Sequence, residues 1–420
     1  MRRGSLCGLL LAVAGAAATP APAGSAAAGG APAPTPPVRA ITAFVDLDPA
    51  RYAEQFRQIA AGLRQAQALF AQDGFTVQTL RITTQPFMKY VRGLDSAHAL
   101  TLLDRLEGLG RQNNVLVDIG AAVLDDRPDP QALEILEQAQ ARGRQLNASM
   151  VVADQDGVHW NTVRAAARHV WRIAAASPRG EGTFRFAAIA MLGPGTPFFP
   201  GSWHDGQGGR FSVGLQSASV VAQVLADSHG DARRATEELG QALSGYAERV
   251  ARVAARVENA TGWKYWGFDS TPAPLKEDSI GAALEAFVPA RLGSAGTLTA
   301  VWVITEAQRQ VPGARVGYGG LMLPVMEDAR LAQRWSAGVI SLDALLAYSA
   351  VCGTGLDTVP LPGDVTEAQL ARIIGDVAVL AYKWKKPLSA RLQPVHGRRA
   401  GEMSDFDDPL LVNARLQPLR

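Results

Sequence analysis

Four stretches of the sequence gather residue types that do chemistry. Cys352 lies in Ala350-Val351-Cys352-Gly353-Thr354-Gly355-Leu356-Asp357. Glycines there permit tight turns and close backbone approach to a ligand. A thiol so placed suits a nucleophile or a radical relay. The plainer alternative is a small buried apolar side chain, the usual state of a free cysteine. His204 sits beside Asp205 at the end of Gly193–Gly206, a stretch crowded with Phe198, Phe199, Trp203 and prolines. A histidine next to a carboxylate suits proton transfer or metal ligation, and the alternative is a rigid Pro-braced surface loop. Asp269 ends the aromatic run Trp263–Phe268, at the carboxyl end of an expected strand. Asp278-Ser279 after it reads better as a helix cap. Gly317, Gly319 and Gly320 precede Glu327 and Asp328. Their backbone N–H groups suit an anion, although neither a Walker nor a dinucleotide fingerprint is present.

These loops need elements to hold them. Short apolar runs alternate with helical periods from Val38 onward, which predicts an α/β body with parallel strand pairs. Expected strands are 40–47, 75–82, 115–119, 149–153, 184–192, 263–269 and 388–394. Expected helices are 51–72, 98–109, 130–146, 158–175, 231–259, 279–287, 297–310, 342–351 and 367–382. In the longest of these, Leu239, Leu243, Tyr246, Val250, Val253 and Val257 recur at steps of three and four, which marks one buried face. No break in composition after residue 40 marks a second domain. The basic runs Lys383–Lys386 and Arg398-Arg399 read as solvated patches.

The first 38 residues differ. Arg2 and Arg3 precede an apolar stretch from Leu6 to Ala18, and small-residue cleavage candidates follow near Ala18 and Ala23. That layout predicts a signal peptide over 1–23, with an Ala/Pro/Gly linker over 24–38 and one domain over 39–420. The expected location is the bacterial periplasm or beyond, with the twin-arginine and general secretory routes both open. Lys plus Arg total 41 against 39 Asp plus Glu, and there are two cysteines. A near-neutral chain has no bulk attraction to nucleic acid, and two cysteines cannot build a disulfide scaffold or a Cys-based zinc module. Cleavage near Ala23 would equalise the charges and leave Cys352 as the sole thiol. The mature chain has no run long and apolar enough to span a bilayer.

Taken together, the motifs resemble the family known as domain of unknown function 711. Phe268-Asp269, Ala273-Pro274, Asp278-Ser279-Ile280, Gly319-Gly320, Pro324-Val325, Glu327-Asp328, Cys352, Gly355-Leu356-Asp357 and Pro362-Gly363-Asp364 carry the resemblance. It runs from about Val38 to Leu411. The resemblance implies a barrel like that of pyruvate formate-lyase-like glycyl radical enzymes. Such a barrel has two sets of parallel strands set antiparallel to each other, helices outside, and a cysteine-bearing loop at the centre. It implies no activity. Radical chemistry fits poorly, because Arg315-Val316-Gly317-Tyr318 is one residue short of the glycyl loop and precedes Cys352.

The expectation is therefore a small-molecule site at the barrel centre. Cys352, His204 and Asp269 are its catalytic candidates, and Gly319, Gly320, Gly353, Gly355 and Asp357 its ligand-binding candidates. Glu327 and Asp328 are candidates for a divalent cation, which oxygen-rich sites suit. The rival expectations are a non-catalytic extracytoplasmic binding or structural protein on the same scaffold, and a cysteine hydrolase. A homo-oligomer fits any of these.

Overall fold

A computed structural model describes residues 35–141 and 145–419. The signal peptide and most of the linker expected over 1–38 lie outside the described residues. The described chain opens with β1 (Val38–Val45), α1 (Tyr52–Gln72), β2 (Val77–Thr84), the short α2 (Met88–Val91), α3 (Ser96–Asn113) and β3 (Leu116–Val123). Then come α4 (Pro130–Ala141), β4 (Leu146–Asp154), β5 (Gly157–Val158), α5 (Trp160–Ala176) and β6 (Phe186–Ala190). The second half holds β7 (Arg210–Leu215), α6 (Ala218–Asp227), α7 (Ala232–Thr261), β8 (Lys264–Asp269), α8 (Ile280–Phe287) and α9 (Thr297–Arg309). It ends with α10 (Ala329–Ser336), α11 (Leu342–Ser349), β9 (Gly355–Pro362), α12 (Glu367–Trp384) and β10 (Leu388–Val395).

One sheet joins the strands in the order β8-β7-β1-β2-β3-β4-β6-β10-β9. β1, β2, β3, β4 and β6 are mutually parallel. β7 and β8 run against β1, and β10 and β9 run against β6. These are two parallel sets of opposite direction, as the resemblance implied. The ends of the sheet are linked by the segment after α9. Arg315 bridges Phe268 of β8, and Pro324 bridges Asp357 of β9, both in parallel sense. The strands thus close around an interior, with the helices packed on the outer face.

Local chemistry explains the elements. β1 and β9 are buried along their whole length, because closed strands with helices outside meet no water on either face. α7 buries Leu239, Leu243, Val250, Val253 and Val257 along one stripe, Asp231 caps its start, and Gly262 ends it in the left-handed region. α12 starts with a full capping box of Thr366 and Gln369. The helix expected over 130–146 is described over Pro130–Ala141, and Leu146 already opens β4.

Three regular elements near the candidate loops depart from the expectation. β9 covers Gly355–Pro362, which reads as a glycine- and proline-rich loop. Proline is tolerated there because β9 is the last strand of the ladder. α10 follows Glu327-Asp328, with the Asp328 carboxylate capping it. β7 follows the His204 loop and pairs with both β1 and β8. Among the described residues, no helix is long and apolar enough to cross a membrane.

Candidate functional site

The interior of the barrel is charged. Arg39 from β1, Arg81 from β2 and Arg391 from β10 line one cavity with Glu327 and with Asp357 of β9. Arginine is rarely this buried unless paired, and all three are less than a tenth exposed. Arg391 lies against Glu327 through one guanidinium nitrogen and 2.9 Å from Asp357 through Nε. It donates to the Phe199 carbonyl at 3.3 Å and stacks on the Phe184 ring at 4.6 Å. Arg39 donates to Gln216 at 3.0 Å and reaches the other Glu327 oxygen at 3.6 Å. Glu327 thus bridges two guanidiniums. Arg81 donates to the Thr79 hydroxyl at 3.0 Å and to the Pro197 carbonyl at 3.2 Å, and lies 5.0 Å from the centre of the Phe199 ring.

Burial shapes the ionisation of this cluster. It draws Arg81 and Arg391 down to about 9, and the other guanidiniums pull the same way. It lifts the Asp357 carboxyl to about 7, against the backbone hydrogen bond from Thr358 that favours its charged form. Asp118, on the strand beside Arg81, is pushed well above its ordinary value by burial. One of its oxygens has no partner.

The Gly193–Gly206 loop enters this interior. Its Pro197 carbonyl accepts from Thr42 and Arg81, and Ser202 pairs with Thr83 at 2.6 Å. Phe198, Phe199 and Pro200 form one wall of the cavity, and Ala187, Tyr318, Met322, Thr354 and Ser389 supply the rest. The cavity measures about 40 Å³. Larger hollows of about 470 and 630 Å³ are grooves at the C-terminal tail and beside α3. The largest apolar pocket is the usual first choice for a site. Here the barrel cavity takes precedence, because the buried charge converges on it.

The sequence candidates fall into distinct places. Asp357 and Glu327 line the cavity. Cys352 is fully buried in the main apolar core and is not among the cavity-lining residues, whereas Thr354 two positions on is. The expected cysteine loop therefore reaches the centre through its threonine. The Lys386 amine holds that loop by donating to the Ser349 carbonyl at 3.0 Å and to the Cys352 carbonyl, so one member of the basic run is a structural tie rather than a solvated charge.

His204 uses both ring nitrogens locally. Its Nε2 donates to the Val45 carbonyl at 3.1 Å and its Nδ1 accepts from the Gly206 N–H at 3.2 Å. Burial lowers its pKa, which fits a neutral ring. Asp269 is fully buried and accepts from the backbone of Thr271, Tyr318 and Gly319. It fixes the turn that aims Tyr318 at the cavity. Asp328 accepts from Ser279 at 2.6 Å and from the N–H groups of Gly281, Arg330 and Leu331. Among the described residues, no group of three or more His, Cys, Asp or Glu is placed to hold a metal ion.

The glycines do bring backbones close, but to each other. A Cβ on Gly320 would overlap the backbone of Gly353, and one on Gly353 would overlap Gly320. The Gly353 N–H donates to the Leu321 carbonyl at 2.9 Å across the same crossing. Gly355 has φ +91° and runs against Ser389 of β10, while Gly319 has φ +56° and open space about it.

Sequence reasoning passed over Arg39, Arg81 and Arg391. A signal was present. Each is a lone charge inside an apolar or β-branched strand: Val38-Arg39-Ala40, Leu80-Arg81-Ile82 and Ala390-Arg391-Leu392. A charge at such a position marks a buried polar cluster.

Known proteins are similar to this chain in sequence. A UPF0210 protein of Pyrobaculum arsenaticum is 32% identical over 366 residues, covering 81% of this chain and 78% of that protein. One from Neisseria meningitidis serogroup C is 28% identical over 276 residues, covering 63% of this chain and 60% of that protein. The anaerobic ribonucleotide reductase of Thermotoga maritima, solved with dATP and CTP, overlays with a TM-score of 0.41 at 10% identity, covering 84% of this chain and 75% of that one. At those values the structural likeness carries nothing about activity. The profile of the family described as Uncharacterised ACR (DUF711) matches residues 35–407, and with a relative above 30% identity across four-fifths of the chain, this protein belongs to that family.

Proposed function

We propose that this protein binds or converts a small molecule at the centre of its barrel. The observation that carries the reading is the convergence of Arg39, Arg81, Arg391, Glu327 and Asp357 on one interior cavity. Burying five ionisable groups costs folding free energy that an apolar core would not. Interiors of closed barrels are usually filled with apolar side chains. An enclosed charged cluster is the arrangement expected of a binding site. Asp357 is the group best suited to hold or release a proton there, since burial places its carboxyl at about 7. In this reading His204, Asp269 and Cys352 lie outside the lining and brace the loops that form it, and the polar contacts to the ligand come mainly from the strands.

Native mass spectrometry of gently purified protein tests the site. The expected result is a retained small molecule that is released on denaturation. The variant Ala187→Leu, which fills the cavity without changing charge, is expected to lose it. Cys352→Ala is expected to keep it. Retention by Ala187→Leu would place the ligand elsewhere.

The exported location rests on the reading of 1–23 as a signal peptide. N-terminal sequencing of the mature protein checks it. A start shortly after Ala23 supports export, and an intact Met1 contradicts it.

A further inference from the structure

The barrel cavity discriminates by charge. We infer that it takes an oxyanion, the carboxylate or phosphate group of a small molecule, gripped by the guanidinium of Arg81 with Arg391 and Arg39 beside it. The inference rests on the barrel centre being the ligand site.

Arg81 is the group that points there. Arg39 and Arg391 share the Glu327 carboxylate, and Arg391 also meets Asp357. Arg81 is equally buried, yet among the described residues all its contacts are neutral: a hydroxyl, a carbonyl and a ring face. A buried charge without a counter-charge is costly. Asp118 on the neighbouring strand attracts it but makes no ion pair or hydrogen bond with it, and burial works against the charge of that carboxyl. An anion bound in the cavity would complete Arg81. The planar fork of the guanidinium matches a carboxylate or phosphate edge with paired hydrogen bonds.

Two further observations narrow the ligand. The cavity volume is about 40 Å³, and a single water needs roughly 10–15 Å³ by the same measure. The space suits a small oxyanion and is too small for a nucleotide. Glu327 also shows how a carboxylate seats here, since its oxygens span Arg39 and Arg391. Ser389, Thr354 and Tyr318 add hydroxyls to the wall, while Ala187, Phe198 and Met322 offer an apolar side for a short carbon stem. A cationic ligand would meet the repulsion of three guanidiniums.

Isothermal titration of the full chain with sodium phosphate and sodium acetate, against sodium chloride at equal ionic strength, tests this. Acetamide serves as the neutral match to acetate. Saturable binding of phosphate or acetate but not acetamide is expected, and the stronger of the two arms identifies the oxyanion. Arg81→Gln is expected to weaken it about 10- to 100-fold, the range of a lost charged hydrogen bond. Ala187→Leu keeps every charge and is expected to weaken it as well, so the test survives if Arg81→Gln does not fold. Equal binding by folded Arg81→Gln, or no anion binding by the wild-type chain, overturns the inference. If no anion binds yet the native spectrum shows a neutral or cationic molecule lost in Ala187→Leu, the oxyanion inference falls and the central-site reading stands. If neither is seen, both fall.

Discussion

Three guanidiniums in one barrel repel each other, and Glu327 offsets that repulsion by touching Arg39 and Arg391 together. Removing its charge leaves both arginines buried with less compensation. Breaking a buried ion pair costs about 3–5 kcal/mol. Glu327→Gln keeps hydrogen-bonding capacity, so a loss near the lower end is expected, read from denaturant unfolding. The same substitution makes the cavity more positive. Added phosphate is therefore expected to restore the melting temperature of Glu327→Gln more than it raises that of the wild type. Equal gains would show that the anion acts elsewhere. At this scale the sequence was only partly legible. Asp357 and Glu327 were visible because they follow glycines in motif-like loops. The arginines were not, because they sit inside strands whose apolar neighbours suggest nothing but core. Pairing between residues as distant in sequence as Arg39 and Glu327 leaves no local trace.

The elements around the site depend on close backbone contact. Gly320 and Gly353 cross with no room for a side chain between them. The crossing binds the Tyr318 segment to the loop that carries Thr354, and so sets two walls of the cavity. Gly353→Ala is expected to cost about 1–3 kcal/mol or more by forcing the strands of chain apart. Ligand binding should weaken along with it. Thr366→Ala removes the capping box of α12, far from the cavity lining, and is expected to cost about 1 kcal/mol with binding unchanged. Thermal melts and titrations of the two variants separate these outcomes. Helices such as α7 and α12 were legible from periodicity, since one face is buried and the other is wet. β9 was not: Gly355, Pro360 and Pro362 argue for a loop. Its place as the last strand of the ladder, beside the Pro324 bridge, relaxes the local rule.

At the scale of the whole molecule, two opposed sets of parallel strands and an outer layer of helices surround a charged centre. Strand-helix alternation in the sequence announced the α/β body. The opposed directions came from the motif resemblance, because periodicity does not encode which strands pair. The outer layer carries its own titration. His169 of α5 is buried against Phe186, bonded to Gln140 at 2.8 Å, and burial lowers it to about 3. Its folded pKa lies below the unfolded value, so its contribution is full above about pH 6.5 and is lost as pH falls toward 3. Each such group gives a slope of up to about 1.4 kcal/mol per pH unit. Raised carboxyls such as Asp118 and Asp269 slope the other way. Comparison with His169→Gln therefore isolates the histidine. The variant is expected to lose less stability than wild type between pH 6 and pH 4, and parallel profiles would contradict that.

The central claim is that an anionic small molecule sits among Arg39, Arg81 and Arg391. A crystal grown with selenate tests it most directly, because selenium scatters anomalously and marks the ion without reference to shape. The account predicts an anomalous peak inside the barrel, within hydrogen-bonding distance of the Arg81 guanidinium, and its absence from Arg81→Gln crystals. Peaks confined to the outer surface, with the interior occupied only by water, would contradict it.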